Sequence, residues 1–197
     1  MYEAGTMQIA EYLQTPFLTT ERLLLVLHHS VLAPWVSRYY VANHDHFREV
    51  SPRRPEGFHT ESAWAERAIT LREESLAGRA LQLLLITRDD PRGIAGHINF
   101  TNLIRDAFQA CYLGYGLDRQ VVGSGLLTEA LSASIPYVFE TLGLHRIMAN
   151  YIPTNERSGR VLRRLGFNVE GYARDDLQLD DVWKDHIMTA LTRPALR

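Results

Sequence analysis

Between Glu21 and His29 the chain reads ERLLLVLHH, an apolar block dense in leucine that suits a strand. From Ser30 to Phe47 the period changes: Leu32, Trp35, Val36, Tyr39 and Tyr40 share one face at helical spacing, with Ser30 as a candidate cap. Two prolines and a glycine in SPRRPEGFHT (Ser51–Thr60) predict a loop. Thr60 then caps a predicted helix that stops at Gly78. LQLLLITR and GIAGHINFTNL read as strands on either side of the turn residues DDPRG, and QACYLGYGL (Gln109–Leu117) reads as the next strand. Leu126, Leu127, Ala130, Leu131, Ile135, Val138, Phe139 and Leu142 recur at helical spacing up to Gly143. Pro136 lies inside that run, removes one helical hydrogen bond and predicts a kink. HRIMANYI (His145–Ile152) predicts a strand, and NERSGRVLRRLG a short helix capped by Asn155 and stopped by Gly166. Two last strands are expected around the turn LDD. The order β-α-α-β-β-β-α-β-α-β-β, without repeat or linker, predicts a single α+β domain over residues 1–197 with its core at about 19–192.

Composition narrows the setting. A formal net charge of −2 argues against direct DNA or RNA binding, which needs clustered Lys and Arg. The one cysteine, Cys111, excludes an intramolecular disulfide framework and fits a reducing compartment. No Cys/His cluster has zinc spacing. His28, His29, His44 and His46 form two short pairs without carboxylate support, so they read as surface residues and no metal is expected. Apolar runs fall far short of the ~20 residues of a membrane helix. The first fifteen residues carry acidic groups and no basic n-region, unlike a signal peptide. The expectation is a cytoplasmic protein with no membrane contact.

The segment DRQVVGSGLLTEAL (Asp118–Leu131) sets two glycines at a strand-to-helix junction. Free N–H groups of the first helical turn converge there and, with the helix dipole, suit an anion. A G-x-G alone is weak evidence, since Gly114-Tyr115-Gly116 also has that form. A P-loop would need a Lys after the glycines, and none follows. A Rossmann fingerprint would need a third glycine where Thr128 stands and an acidic residue near His145. What remains is Gln120-Val-Val-Gly123-Ser-Gly125, or Q-x-x-G-x-G.

This motif resembles the signature of the GCN5-related (GNAT) N-acetyltransferases. HRIMANYIPTNERSGRVLRRLGFNVEGY resembles that family's second cofactor segment, and TTERLLL its first strand. ACYLGY, HRIMANY and W-x-DH resemble most the ribosomal-protein alanine N-acetyltransferases of the Rim type. The resemblance covers about Thr19 to Thr192 and implies the acyl-CoA N-acyltransferase fold, a mixed, mostly antiparallel sheet of about seven strands flanked by about four helices. Acetyl-CoA is the implied co-substrate.

By the same resemblance, Gln120, Val121, Val122, Gly123, Ser124, Gly125 and Leu126 cradle the pyrophosphate, while Tyr112, Leu113, Gly116 and Leu117 pair with the pantetheine arm. A bulge within Tyr112–Leu117, which Gly114 and Gly116 suit, would aim one N–H at the thioester carbonyl and stabilise the oxyanion, with Gly114 and Tyr115 the catalytic candidates on this strand. Glycines that merely relieve crowding in a sheet are the plainer reading. Asn150 and Asn155 are implied to touch the cofactor, although capping alone explains Asn155. Ser158 matches the residue expected to protonate the departing thiolate. Arg157, Arg160 and Arg163 either reach the phosphates or form a solvated helix face.

The general base stays open among Glu170, Tyr172, Asp175, Asp176, Asp185, His186 and water. An α-amine, with pKa near 7.7–8.0, is about one-third neutral at pH 7.5, so a water relay can suffice. Direct attack in a ternary complex is expected, with Cys111 a buried small hydrophobe inside a strand. Asp175, Asp176, Asp180 and Asp181 read as a solvated turn or as an attractor of a cationic substrate. The segment SPRRPEGF lacks a Trp expected where the family's first-helix loop meets the substrate, and Pro136 interrupts a helix that is usually continuous. The expected acceptor is a protein N-terminus, in particular of a ribosomal protein starting with Ala. A small amine (aminoglycoside or polyamine) and a non-catalytic acyl-CoA-binding module in ribosome assembly are the alternatives, and an oligomer is compatible with the sequence.

Overall fold

The computed structural model describes residues 8–193; residues 1–7, part of the N-terminal stretch read above, lie outside them. The elements are α1 (Ile9–Tyr12), β1 (Leu18–Thr19), β2 (Leu23–Leu27), α2 (Ala33–Ala42), α3 (His44–Arg48), α4 (Glu61–Leu76), β3 (Leu81–Thr87), β4 (Gly96–Ile104) and β5 (Ala110–Leu117), followed by α5 (Leu126–Glu140), β6 (Arg146–Met148), α6 (Glu156–Arg164), β7 (Asn168–Leu179) and β8 (Val182–Thr192). One eight-stranded sheet runs in the order β1-β2-β3-β4-β5-β6-β8-β7. Only β5 and β6 are parallel; every other pair is antiparallel. The seven predicted strands are present, and β1 adds a two-residue edge to β2.

The near-continuous apolar runs of β2 and β3 follow from burial on both faces. Leu23, Leu25, Leu81, Leu83 and Leu85 enter the core beneath α5 and α6, whereas Val26, Leu84 and Ile86 meet α2 and α4 on the other side. Each fully buried leucine contributes about 1.5–3 kcal/mol. Helix α4 starts as predicted, with Thr60 Oγ accepting from the Ala63 N–H (3.3 Å).

Ser30 is not a cap. His29 Nδ1 accepts from the Val31 N–H (3.2 Å) and opens a 3₁₀ turn, and α2 begins only at Ala33. The single helix predicted over Ser30–Phe47 is divided at Asn43, which is fully buried. Its amide donates to the Tyr39 carbonyl (2.9 Å) and Asp118 Oδ2 (2.8 Å), and accepts from the Arg119 N–H (2.9 Å). This side chain ties the α2–α3 corner to the loop after β5. Helix α5 runs unbroken through Pro136. Pro136 and Ser132, whose carbonyl loses its helical partner, both face solvent, so water satisfies the freed oxygen. His28 is buried rather than superficial, stacked on Trp64 at 6.1 Å between centroids.

Candidate active site

Strand β5 pairs with β4 from Gly96–Leu117 through Thr101–Tyr112, but its parallel ladder to β6 covers only Ala110, Cys111 and Tyr112. Beyond Tyr112 the two strands part. A cleft of about 800 Å³ opens there, walled by Tyr115, Gly116 and Leu117, by Val122, Gly123 and Gly125, and by Ile152 and the run from Thr154 to Ser158 ahead of and within α6. Backbone groups on that side of β5 have no strand partner, so an extended ligand can supply the missing hydrogen bonds.

At the end of the cleft Gly123 and Gly125 take φ of 85° and 83°. No side chain caps α5. The N–H groups of its first turn are therefore free for water or an anion. Arg22 braces this turn, donating to the Ser124 carbonyl (2.9 Å) and pairing with Glu129 (2.6 Å), which also accepts from Thr20 Oγ (2.6 Å). Burial pushes the Glu129 carboxyl up, but the bonds from Thr20 and Arg22 outweigh it and hold its pKa below the ordinary value. Gln120, Val121, Ser124 and Leu126 do not line the cleft; the Gln120 N–H is turned to Asp118 Oδ1 (2.8 Å). Leu113 and Leu126 are core side chains, so only their backbones can reach a ligand. Tyr112 and Gly114 point to the opposite face, where both are exposed.

The bulge expected within Tyr112–Leu117 is absent. Register with β4 is even throughout that stretch, and the irregularity falls between Thr101 and Ile104, beside Asn102 with φ 51°. Gly116 has another cause: a Cβ there would lie 2.7 Å from His97 Cε1 and 3.0 Å from Phe47 Cε1.

Asn155 caps α6, accepting from the Ser158 N–H (3.2 Å). That bond leaves the Ser158 hydroxyl free to meet Tyr115, whose oxygen is 2.7 Å away. Burial pushes the Tyr115 phenol up to about 12, against the opposing pull of the Ser158 hydrogen bond. Asn150 lies outside the cleft wall, and its buried Oδ1 has no hydrogen-bond partner among the described residues. Arg157, Arg160 and Arg164 line the cleft while Arg163 does not, and Arg160 bonds Glu156 (3.2 Å). Cys111 is fully buried, which lifts its thiol to about 12 and keeps it from acting as a nucleophile.

A second cavity, of about 670 Å³, lies on the α2–α4 face of the sheet. His28, Tyr40 and Trp64 line its inner part, with Gln82, His97 and Asn99 from β3 and β4. Phe47 of α3 lines both cavities, so the two spaces approach each other around Phe47, Gly116 and His97. His97 Nδ1 is 3.0 Å from the Tyr39 hydroxyl. Enclosure lowers the His97 pKa to about 4, and burial followed by repulsion from His97 lowers that of His28 to about 3.

None of Glu170, Tyr172, Asp175, Asp176, Asp185 and His186 lines either cavity. They engage one another or neighbours: Glu170 pairs with Arg146, Tyr172 donates to Asp185, Asp185 accepts from the Asp175 N–H, and His186 faces Asp176 at 3.6 Å. Asp180 and Asp181 do line the second cavity, but Arg48 (2.7 Å) and Arg53 (2.6 Å) neutralise them.

Residues 22–168 match the acetyltransferase (GNAT) domain family. This chain belongs to that family. A [ribosomal protein uS5]-alanine N-acetyltransferase of Escherichia coli (strain K12) is 44% identical to this GNAT chain over 177 residues, 90% of this chain and 91% of that protein. The ribosomal-protein-S5-alanine acetyltransferase structure from Vibrio fischeri matches with a TM-score of 0.84 at 32% identity, over 89% of this chain and 95% of that one. Mycobacterium smegmatis RimJ, in complex with CoA-disulfide, matches at 0.78 and 28% identity, over 86% of this chain and 81% of that one.

As a GNAT member the protein is an acetyltransferase whose co-substrate is acetyl-CoA. The cleft fits that donor in three places. Positive-φ glycines and uncapped N–H groups suit the pyrophosphate, the free edge of β5 suits the pantetheine amides, and the Tyr115–Ser158 pair suits the thiol end. Among the described residues no group of three or more His, Cys, Asp or Glu can hold a metal ion. The sequence motifs led to this cleft but not to the second cavity. Phe47, Trp64 and His97 carry no local motif; only their apolar or helical placement was visible, and the sheet brings them together.

Proposed function

We propose that this GNAT enzyme acetylates the N-terminal α-amino group of a protein, a ribosomal protein beginning with alanine being the leading substrate. The observation that carries this reading is the 44% identity, over nine-tenths of both chains, to an enzyme named for that reaction. The whole chain is read as one catalytic domain working in the cytoplasm on a protein partner, without membrane or DNA. Among the described residues no helix is long and apolar enough to cross a membrane.

Acetyl-CoA supplies the activated acetyl thioester. The β5 edge and the glycine turn hold it, and an N–H of Gly114 or Tyr115 on the unpaired side of β5 steadies the negative charge that develops on the thioester oxygen. The acceptor amine approaches from the second cavity, near Phe47 and His97. A neutral α-amine attacks directly, and its proton leaves through water, since none of the carboxylates weighed for that task lines the cavity. Ser158 gives a proton to the departing thiolate and is replenished through Tyr115, a neutral hydroxyl at working pH. The buried Cys111 argues for direct transfer over an acyl-enzyme.

The arginine-lined acceptor cavity disfavours polycationic acceptors such as polyamines and aminoglycosides. Thiol release from acetyl-CoA should be rapid with an alanine-starting peptide and weak with spermidine or an aminoglycoside. Preference for the small amines would overturn the proposal. CoA-dependent thermal stabilisation without turnover on any acceptor would leave the non-catalytic module instead.

A further inference from the structure

The acceptor cavity carries a charge arrangement that its own residues leave unbalanced. Four arginines line it, together with two carboxylates. Arg48 is matched by Asp180 (2.7 Å) and Arg53 by Asp181 (2.6 Å), which ties the end of α3 and the loop after it to the β7–β8 turn. Arg54 and Arg67 make no ion pair among the described residues. Both are instead held against one ring: their guanidinium carbons stand 4.8 and 3.5 Å from the centroid of Phe58. Arg67 is further fixed by donating to the Phe58 carbonyl and lies 5.2 Å from the Trp64 ring.

Two unpaired cations held together repel each other. Burial and then the charge of Arg54 lower the Arg67 pKa, with Glu66 acting weakly in the other direction. Such an arrangement costs stability unless something anionic joins it. The histidines cannot supply that anion: burial holds His28 and His97 at about 3 and 4, so neither is charged near pH 7, and burial with the nearby arginines lowers the pKa of His59. The inner cavity is thus neutral and aromatic, while its exposed rim at Arg54 is positive. Trp64, 6% exposed, presents an indole whose Nε1 has no hydrogen-bond partner among the described residues. A neutral interior that admits an uncharged amine, with a paired-guanidinium rim outside it, matches a peptide whose first residue is uncharged and whose following residues bear a carboxylate.

We propose that Arg54 and Arg67 form a carboxylate-recognition subsite, selecting acceptor chains with an Asp or Glu shortly after the acetylated N-terminus. This rests on the N-terminal acetyltransferase reading above and adds a substrate class to it. Phe58 sets the position of both guanidinium groups, so selectivity depends on a planar fork rather than on diffuse charge.

The test is acetylation of alanine-starting peptides of equal length, in which a single glutamate, glutamine or lysine is moved along the following residues. For the wild-type enzyme kcat/KM should be about tenfold higher with glutamate than with glutamine at the preferred position, a ratio typical of a charge-assisted hydrogen bond. That ratio should shrink with added salt. Arg54→Gln and Arg67→Gln should each bring it close to one, Arg54→Lys should restore part of it, and Arg54→Glu should turn the preference towards lysine. Thermal stabilisation by CoA, read on each variant, reports whether the fold and donor cleft are intact. Should Arg67→Gln fail to fold, Arg54 on the exposed loop decides the matter alone. Equal rates for glutamate and glutamine peptides would overturn the subsite while leaving N-terminal acetylation standing. Failure to acetylate any alanine-starting peptide would overturn both.

Discussion

Ser158 and Tyr115 illustrate how two ordinary residues are brought together into the pair proposed above for proton transfer. Ser158 occupies the third position of α6, where a serine needs no special explanation, and its N–H is taken by the Asn155 cap. Tyr115 faces it from β5, with 2.7 Å between the hydroxyls. Burial raises the phenol to about 12, so near neutral pH it is a donor and not a base. A thiolate leaving from a group of pKa ~8.5 needs a proton, and positioned acids contribute roughly 10²-fold or more. Ser158→Ala should therefore lower kcat about 10–100-fold with little change in KM for acetyl-CoA. Tyr115→Phe should do nearly as much damage, and the double variant little more than either, because the two act as a unit. Additive losses would show separate roles. Only the family resemblance made Ser158 visible in the sequence. The side chain of Tyr115 carried no signal, since its partner lies 43 residues away.

At the scale of elements, the glycine turn and the strand before it respond to different constraints. Nothing lies within 4 Å of a Cβ built on Gly123, so the residue is required by its φ of 85° and not by space. Gly123→Ala should cost about 1 kcal/mol in stability through left-handed strain and raise KM for acetyl-CoA. Chemical denaturation and steady-state kinetics measure the two effects. Gly116→Ala should act differently, since φ is ordinary there but the methyl would press on His97 and Phe47. Its penalty belongs to the meeting point of the two cavities. Elements with a strong period and local punctuation were legible: α4 behind Thr60, α5 behind its glycines, and α6 behind Asn155 all begin where their residues imply. Those decided by distant partners were not. Asn43 divides a helix because Asp118 and Arg119 hold it, and HRIMANYI yields only a three-residue strand because β5 turns away from it. The predicted bulge failed for a related reason, as crowding from a neighbouring strand accounts for Gly116.

Across the whole molecule, the proposed donor side is written in contiguous motifs, whereas the proposed acceptor side is assembled out of many elements. Only the first is readable along the chain. The second gathers His28 after β2, Tyr40 from α2, Trp64 from α4 and His97 from β4, and it buries two histidines without a carboxylate partner. This has a consequence for stability. In the folded protein His28 and His97 bind a proton only near pH 3 and 4, whereas in the unfolded chain both do so near 6.5. Between those values the unfolded chain holds more protons, so lowering the pH favours unfolding. Stability should decline from about pH 6.5 downwards, by at most about 1.4 kcal/mol per pH unit for each histidine. Glu129 works in another window: its folded pKa lies below the usual 4.5, so its contribution is intact above that value and fades only as pH falls through the folded pKa. A loss already evident between pH 6.5 and 5 therefore belongs to the histidines. Urea denaturation across that range should show it, and His28→Gln should remove part of the slope whatever its effect on stability at pH 7.5. A flat profile down to pH 5 would mean that protons reach both imidazoles in the folded protein, and that the acceptor cavity is wetter than its aromatic lining implies.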